Sequence, residues 1–145
     1  MFIVNPYVFA TTPADPLDPY NFATARYWRL GWQESMTGAN PSCSRMWFID
    51  DTGGLITPSG GTAISSGDLG GFPASNAFDG TDTTHWVSSS TTSNNDTINA
   101  YVGYDFGASV TKSISGVRYR NRADTFGVNE GPRFAQLDYS SDGST

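Results

Sequence analysis

The 145 residues carry 14 acidic against 8 basic side chains, a net charge of -6, and 14% aromatic against only 15% charged residues. That length gives one domain with a real core, and the acidic balance excludes a general phosphate-binding surface and disfavours anionic lipid. A single cysteine, Cys43, excludes an internal disulfide and a cysteine-based zinc site; as a lone small residue it is expected half-buried.

The chain opens with "MFIVNPYVFA", which lacks a basic leader region and is interrupted by Pro6, so no secretory signal is expected. No run approaches the roughly 18 apolar residues of a membrane helix. These features predict a soluble chain, cytoplasmic or released by a route other than general secretion. Pro13, Pro16 and Pro19 recur every third residue, a spacing that suits an extended arm and forbids helix. Residues 1–24 are therefore expected as an N-terminal docking arm, with Met1–Ala10 as a short strand or docking segment and Thr11–Phe22 as a strap.

Strand signals follow in order. In "ARYWRLGW" Trp28, Leu30 and Trp32 alternate with Tyr27, Arg29 and Gly31, and "SRMWFID" (44–50) is a second candidate. "AYVGYDFG" (100–107) places Val102, Tyr104 and Phe106 on one face. "ISGVRYRNR" (114–122) sets Val117 and Tyr119 opposite Arg118, Arg120 and Arg122, and "FAQLDYS" (134–140) aligns Ala135, Leu137 and Tyr139. A period of two with one apolar face marks half-buried strands. Lys112 is the only lysine and Glu34 and Glu130 the only glutamates, so strong helix formers are scarce and no helical period is visible. Gly- and Ser-rich turns between short strands predict an all-β antiparallel sandwich or jelly roll. "SSSTTSNNDT" (88–97) reads as a polar loop with nothing to bury.

The second half resembles the discoidin family, also called the coagulation-factor type C domain. "GGTAISSG" (60–67) is similar to its first core strand. "FPASNAFDGTDTTHWVS" (72–88) resembles its signature, in which a small residue, Asn, Ala, an apolar residue, Asp and Gly lead to Thr and Trp. "YVGYDFG" (101–107), "SISGVRYRNRAD" (113–124) and "GPRFAQLDYSSDGST" (131–145) resemble the strands that follow, in the family's order. The resemblance implies a galactose-binding-like jelly roll over residues 25–145. The family's closing strands normally come last. Here "ARYWRL" and "SRMWFID" come first, so a permuted arrangement is expected, in which residues 25–50 supply those strands. The competing reading is a chain completed by a neighbouring subunit or by further residues after Thr145.

The stretch "ASNAFDGTDTTHW" (74–86) bears three readings. A hydrolytic triad needs nucleophile, base and orienting acid in reach, and no nucleophile-elbow signature accompanies His85. Asp50 and Asp51 adjoin, so a paired-carboxylate glycosidase is equally poorly supported; no enzymatic activity is expected. Calcium is the better reading: Asp79, Asp82 and Thr84 offer oxygens on a tight turn, although Ser90 stands where an EF-hand needs Glu. The resemblance implies such a structural calcium ion, but its usual closing-strand Glu is absent around Met46 and Trp47. The alternative is that Asp79 caps the turn by accepting backbone N–H bonds. Phe78 and Trp86 are expected to face the core, with His85 at the rim.

In the family, ligands bind loop tips at one end of the sandwich. The loops at 66–73, 88–97 and 122–133 match those positions, and the third is the richest. Arg122, Asp124, Phe126 and Asn129, with His85 at the edge, form the expected glycan site; Arg122 would hold two hydroxyls or a carboxylate, and Phe126 would stack on a sugar ring. The three alternating arginines also read simply as a solvated strand face. Leu69 and Phe72 resemble the apolar spikes of lipid-binding members, against which the acidic charge argues. The implied partners are cell-surface polysaccharide and, through the arm, neighbouring subunits in a virion, with no nucleic acid, no membrane and an oligomeric assembly. The chain is accordingly expected in a tailed-phage virion. The alternative is a carbohydrate-binding module of a bacterial surface or secreted protein.

Overall fold

Alternating aromatic and polar residues make Tyr27–Ser35 the spine of the fold, with Trp28, Leu30 and Trp32 all fully buried on one face. The computed structural model describes residues 23–36, 39–92 and 97–144. The expected docking segment Met1–Ala10 and the strap Thr11–Phe22 lie outside them, as does the tip of the 88–97 loop.

In chain order the strands are β1 (Thr24–Ala25), β2 (Tyr27–Ser35), β3 (Ser42–Cys43), β4 (Arg45–Asp50) and β5 (Leu55–Ile56). They continue with β6 (Thr62–Ser65), β7 (Trp86–Val87), β8 (Ala100–Asp105), β9 (Lys112–Arg120) and β10 (Pro132–Ser140). One four-stranded sheet runs β1-β9-β4-β5, a second runs β10-β2-β8-β6, and β3 pairs with β7. Every pairing is antiparallel. The expected all-β antiparallel sandwich is thus the observed fold. Two short helical turns were not anticipated: a 3-10 turn at Ala74–Ala77 and α1 at Gly127–Glu130, each too brief to leave a helical period.

Residues 25–50 pair with the strands between 60 and 140, as the permuted reading requires. β2 lies between β8 and β10, with Trp28 opposite Tyr104 and Tyr139. β4 lies against β9, with Phe48 opposite Val117. Without these two strands the sheets would lose interior members and expose raw edges. Gly103 lets β8 run close to β2, because a Cβ there would overlap the Trp28 carbonyl oxygen.

The core fills the space between the sheets. Phe48 packs on Phe106 at 5.7 Å between centroids and on Phe78 at 6.3 Å, and Phe78 meets Tyr104 edge-on at 5.2 Å. Trp32 touches Trp86 at 5.7 Å and Tyr119 at 6.3 Å, joining the two sheets. Each fully buried ring contributes roughly 2–3 kcal/mol. Phe78 and Trp86 therefore face inward as expected. Cys43 is buried completely rather than half, and burial pushes its thiol pKa up to about 12. The 88–92 stretch also departs from expectation, since Ser88 and Thr92 are fully buried. The Thr92 hydroxyl accepts the Ser35 N–H at 2.9 Å, which repays burial of both groups.

Register fixes the two ends of the sandwich. At one end β2 finishes beside Pro132, and β4 begins opposite Arg120. At the other end β2 begins beside Ser140 and Asp105, and β1 pairs with Ser113 and Lys112. The chain therefore enters the domain at the end opposite the loops that join β9 to β10.

Candidate functional site

The loop between β9 and β10 forms a rim at the first of these ends. Ser44 anchors its start: its N–H donates to the Arg120 carbonyl at 2.9 Å and its hydroxyl to the Asn121 carbonyl at 2.9 Å. The Met36 N–H donates to the Gly131 carbonyl at 3.0 Å and closes the far side. Within the loop, Asp124 caps the turn by accepting the Phe126 N–H at 3.2 Å. Gly127 is required by close approach, because a Cβ there would overlap the Arg122 carbonyl oxygen.

Arg122 is the hub of this rim. Its guanidinium donates through Nη2 to Asp124 and through Nη1 to Glu130 Oε2 at 3.1 Å. Its side chain is only 11% exposed and that of Glu130 10%, whereas Asp124 is 44% exposed. The guanidinium carbon lies 5.2 Å from the Phe126 ring centroid and 5.9 Å from that of Phe72. Phe72 in turn stacks on His85 at 4.8 Å, with the planes 18° apart.

Four of the five expected site residues thus meet: His85, Arg122, Asp124 and Phe126. The side chain of Asn129 lies outside the described residues. Two members were not anticipated as part of the site. Phe72 resembles an apolar spike in sequence, and Glu130 carries no mark there that sets it beside Arg122. The expected role of Arg122 also changes. Each terminal nitrogen donates to a carboxylate of the chain, Nε is buried and the side chain is only 11% exposed, so the guanidinium is turned into the loop rather than toward sugar hydroxyls. Arg122 ties the loop together, and the exposed groups are Phe126, 58% exposed, and Asp124. Arg122 donates to Asp124 and holds the latter's pKa below the ordinary carboxylate range.

His85 sits where the turn returns to β7; its backbone carbonyl accepts the Asn76 side-chain N–H at 2.9 Å. Its ring is not placed for a triad. Among the described residues no hydroxyl or carboxylate hydrogen-bonds it, and Nε2 is buried without a partner. Burial lowers its pKa and the nearby Arg122 charge lowers it further, so the imidazole is neutral near pH 7.

The corner before it closes on itself. Asp79 Oδ1 accepts the Thr81 N–H at 2.9 Å, and Oδ2 accepts the Thr84 hydroxyl at 2.5 Å. Burial alone would raise the Asp79 pKa, but the hydrogen bonds from Thr84 and Thr81 outweigh it and hold the group low. Asp82 is drawn to the outer face of β4 and β9, where it accepts from Arg120 and lies 3.8 Å from Arg45. Arg45 and Arg120 stand directly opposite each other across the strands, an unfavourable like-charge pair that Asp82 offsets. This donor set does not fit a calcium ion. Asp79 and Thr84 are bonded to each other, Asp82 is held by two guanidiniums, and no group of three His, Cys, Asp or Glu ligands converges among the described residues. The arrangement is the one expected of Asp79 as a turn cap.

Residues 60–145 match the family model described as F5/8 type C domain. The match covers more than half of the chain and begins after β4, so two interior strands of the sandwich lie ahead of it. No curated protein matches the chain.

Proposed function

The chain belongs to the F5/8 type C (discoidin) domain family, and from that premise we propose that it is a non-enzymatic module that binds a glycan at the β9–β10 rim. The family consists generally of non-catalytic binding domains, which supports this class of function. The observation that carries the reading is the exposed Phe126 ring at the tip of a loop pinned by Arg122. An aromatic face held rigidly offers a sugar its apolar side at low entropic cost. Asp124, nearly half exposed, accepts hydroxyl protons beside it. His85, neutral and stacked on Phe72, supplies a polar edge.

A glycan array tests this, with Phe126→Ala and Asp124→Asn as the variants. Arg122→Ala is unsuited, because it dismantles the loop. Loss of a wild-type signal in Phe126→Ala at unchanged melting temperature supports the reading. A wild-type chain silent across the array overturns it.

A second reading concerns where the module works. The chain enters at the end opposite the rim, a placement that supports an anchor at one end and a ligand at the other. We propose on this basis a virion-associated protein whose residues 1–24 dock onto a neighbouring subunit. The alternative remains a carbohydrate-binding module of a bacterial surface or secreted protein. Deleting residues 1–22 should leave melting and glycan binding intact and abolish co-assembly with particle subunits; unchanged assembly refutes the anchoring role.

A further inference from the structure

The outer face of the β1-β9-β4-β5 sheet carries three guanidiniums, two of them over one indole, on strands rather than on the rim loop. Register sets Arg45 opposite Arg120 and Trp47 opposite Arg118. The alternate residues Met46, Phe48 and Val117 are fully buried, so these four side chains point outward. The Arg45 guanidinium carbon lies 4.7 Å from the Trp47 ring centroid and that of Arg118 lies 5.3 Å away.

Asp82 offsets Arg45 and Arg120. Arg118 is exposed, and among the described residues no carboxylate pairs with it. Three of the chain's 8 basic side chains thus share one face on a protein of net charge -6. Folding does not explain that concentration, because like charges across paired strands destabilise. Trp47 holds the two guanidiniums over its ring, which fixes their orientation before any ligand arrives.

We infer that this face binds the carboxylates of an acidic polysaccharide, a polymer of uronic-acid type. A planar guanidinium fork matches a carboxylate with two parallel hydrogen bonds. Among the described residues no carboxylate or carbonyl engages the Arg118 guanidinium, which leaves its prongs for that purpose, and Arg45 and Arg120 add attraction along the strands. An open strand face, rather than a pocket, suits an extended polymer. The inference rests on the glycan-binding reading but uses a different surface, so the two fail separately.

Isothermal titration of the full chain tests it. The probes are a short oligogalacturonate, its neutral methyl ester and polyglutamate. Wild type should bind the oligogalacturonate and ignore the ester. Arg118→Gln should weaken binding about tenfold, the worth of one charge-assisted contact. Arg133→Gln removes an exposed arginine elsewhere, one paired with Glu34, and should change affinity by less than about twofold on the same scale. Unchanged affinity in Arg118→Gln, or equal binding of the ester, overturns the inference. Equal binding of polyglutamate overturns it too, and assigns the face to an acidic protein. Array binding without any oligogalacturonate binding removes this face and leaves the rim. Oligogalacturonate binding lost in Arg118→Gln but retained in Phe126→Ala, with no other signal on the array, supports the face and removes the rim.

Discussion

Replacing Arg122 by alanine should destabilise the domain far more than removal of a surface arginine. The guanidinium bridges Asp124 and Glu130 while lying against two aromatic rings. Asp124 is 44% exposed, so its loss of a partner is largely made good by water. Glu130 is 10% exposed, and without Arg122 it would be a nearly buried carboxylate with no cation. Removing one partner of such a pair costs about 3–5 kcal/mol, and the open side of this loop places the value near the lower bound. At about 2–4 °C per kcal/mol, that is a fall of roughly 6–12 °C in melting temperature. Urea denaturation with calorimetry measures it directly. Adding Glu130→Gln to Arg122→Ala should recover part of the loss, because the stranded charge is then gone. Arg122→Lys should fall between, since a point charge cannot serve two carboxylates through a planar fork. A loss below about 1 kcal/mol in Arg122→Ala, the range of an exposed pair, would refute this account and return Arg122 to the pool of free ligand-binding groups.

His85 should make stability depend on pH. Its folded pKa is depressed, so the unfolded chain, titrating near the ordinary 6.5, takes up the proton first. That contribution is full above about pH 6.5 and is lost as pH falls from there through the folded value. Denaturant titrations across that window should show the slope, and His85→Asn should remove it; an identical slope in the variant refutes the assignment. At the corner, Asp79→Ala should cost about 1 kcal/mol through its lost hydrogen bonds, while calcium or chelator leaves the melting temperature unchanged. A rise of several degrees on adding calcium would reinstate Asp79 as a metal ligand. Gly103→Ala should cost about 1–3 kcal/mol by forcing a Cβ into the Trp28 carbonyl; a neutral result would show that β8 and β2 can part without loss.

The long strands were legible because each repeats its pattern often enough to be a period. Trp28, Leu30 and Trp32 in β2, Val102 and Tyr104 in β8, and Val117 and Tyr119 in β9 all point as alternation requires. β3, β5 and β7 hold two residues each, and two residues carry no period. The burial of Ser88 and Thr92 was equally hidden. It depends on partners far away in sequence, the Ser35 N–H for Thr92 and the Pro41 carbonyl for the Ser88 N–H. Composition alone makes such residues look like loop.

The role of Arg122 is hidden in the sequence for a physical reason that also bears on the outer face. An arginine looks the same in sequence whether it holds a carboxylate of its own chain or waits for one from a ligand. What separates the two is the local supply of acid. The stretch 122–130 contains Asp124 and Glu130 for a single guanidinium, enough to occupy both of its terminal nitrogens. On the outer face three guanidiniums, two of them over Trp47, have between them Asp82 as their one ion-pair partner among the described residues, and that carboxylate arrives from a loop some forty residues distant in sequence. Charge balance within reach of each arginine, which needs the register of β4 against β9, therefore moves the unfilled demand for anions away from the loop with the familiar signature. It leaves that demand on the strand face where Arg118 stands without a carboxylate among the described residues.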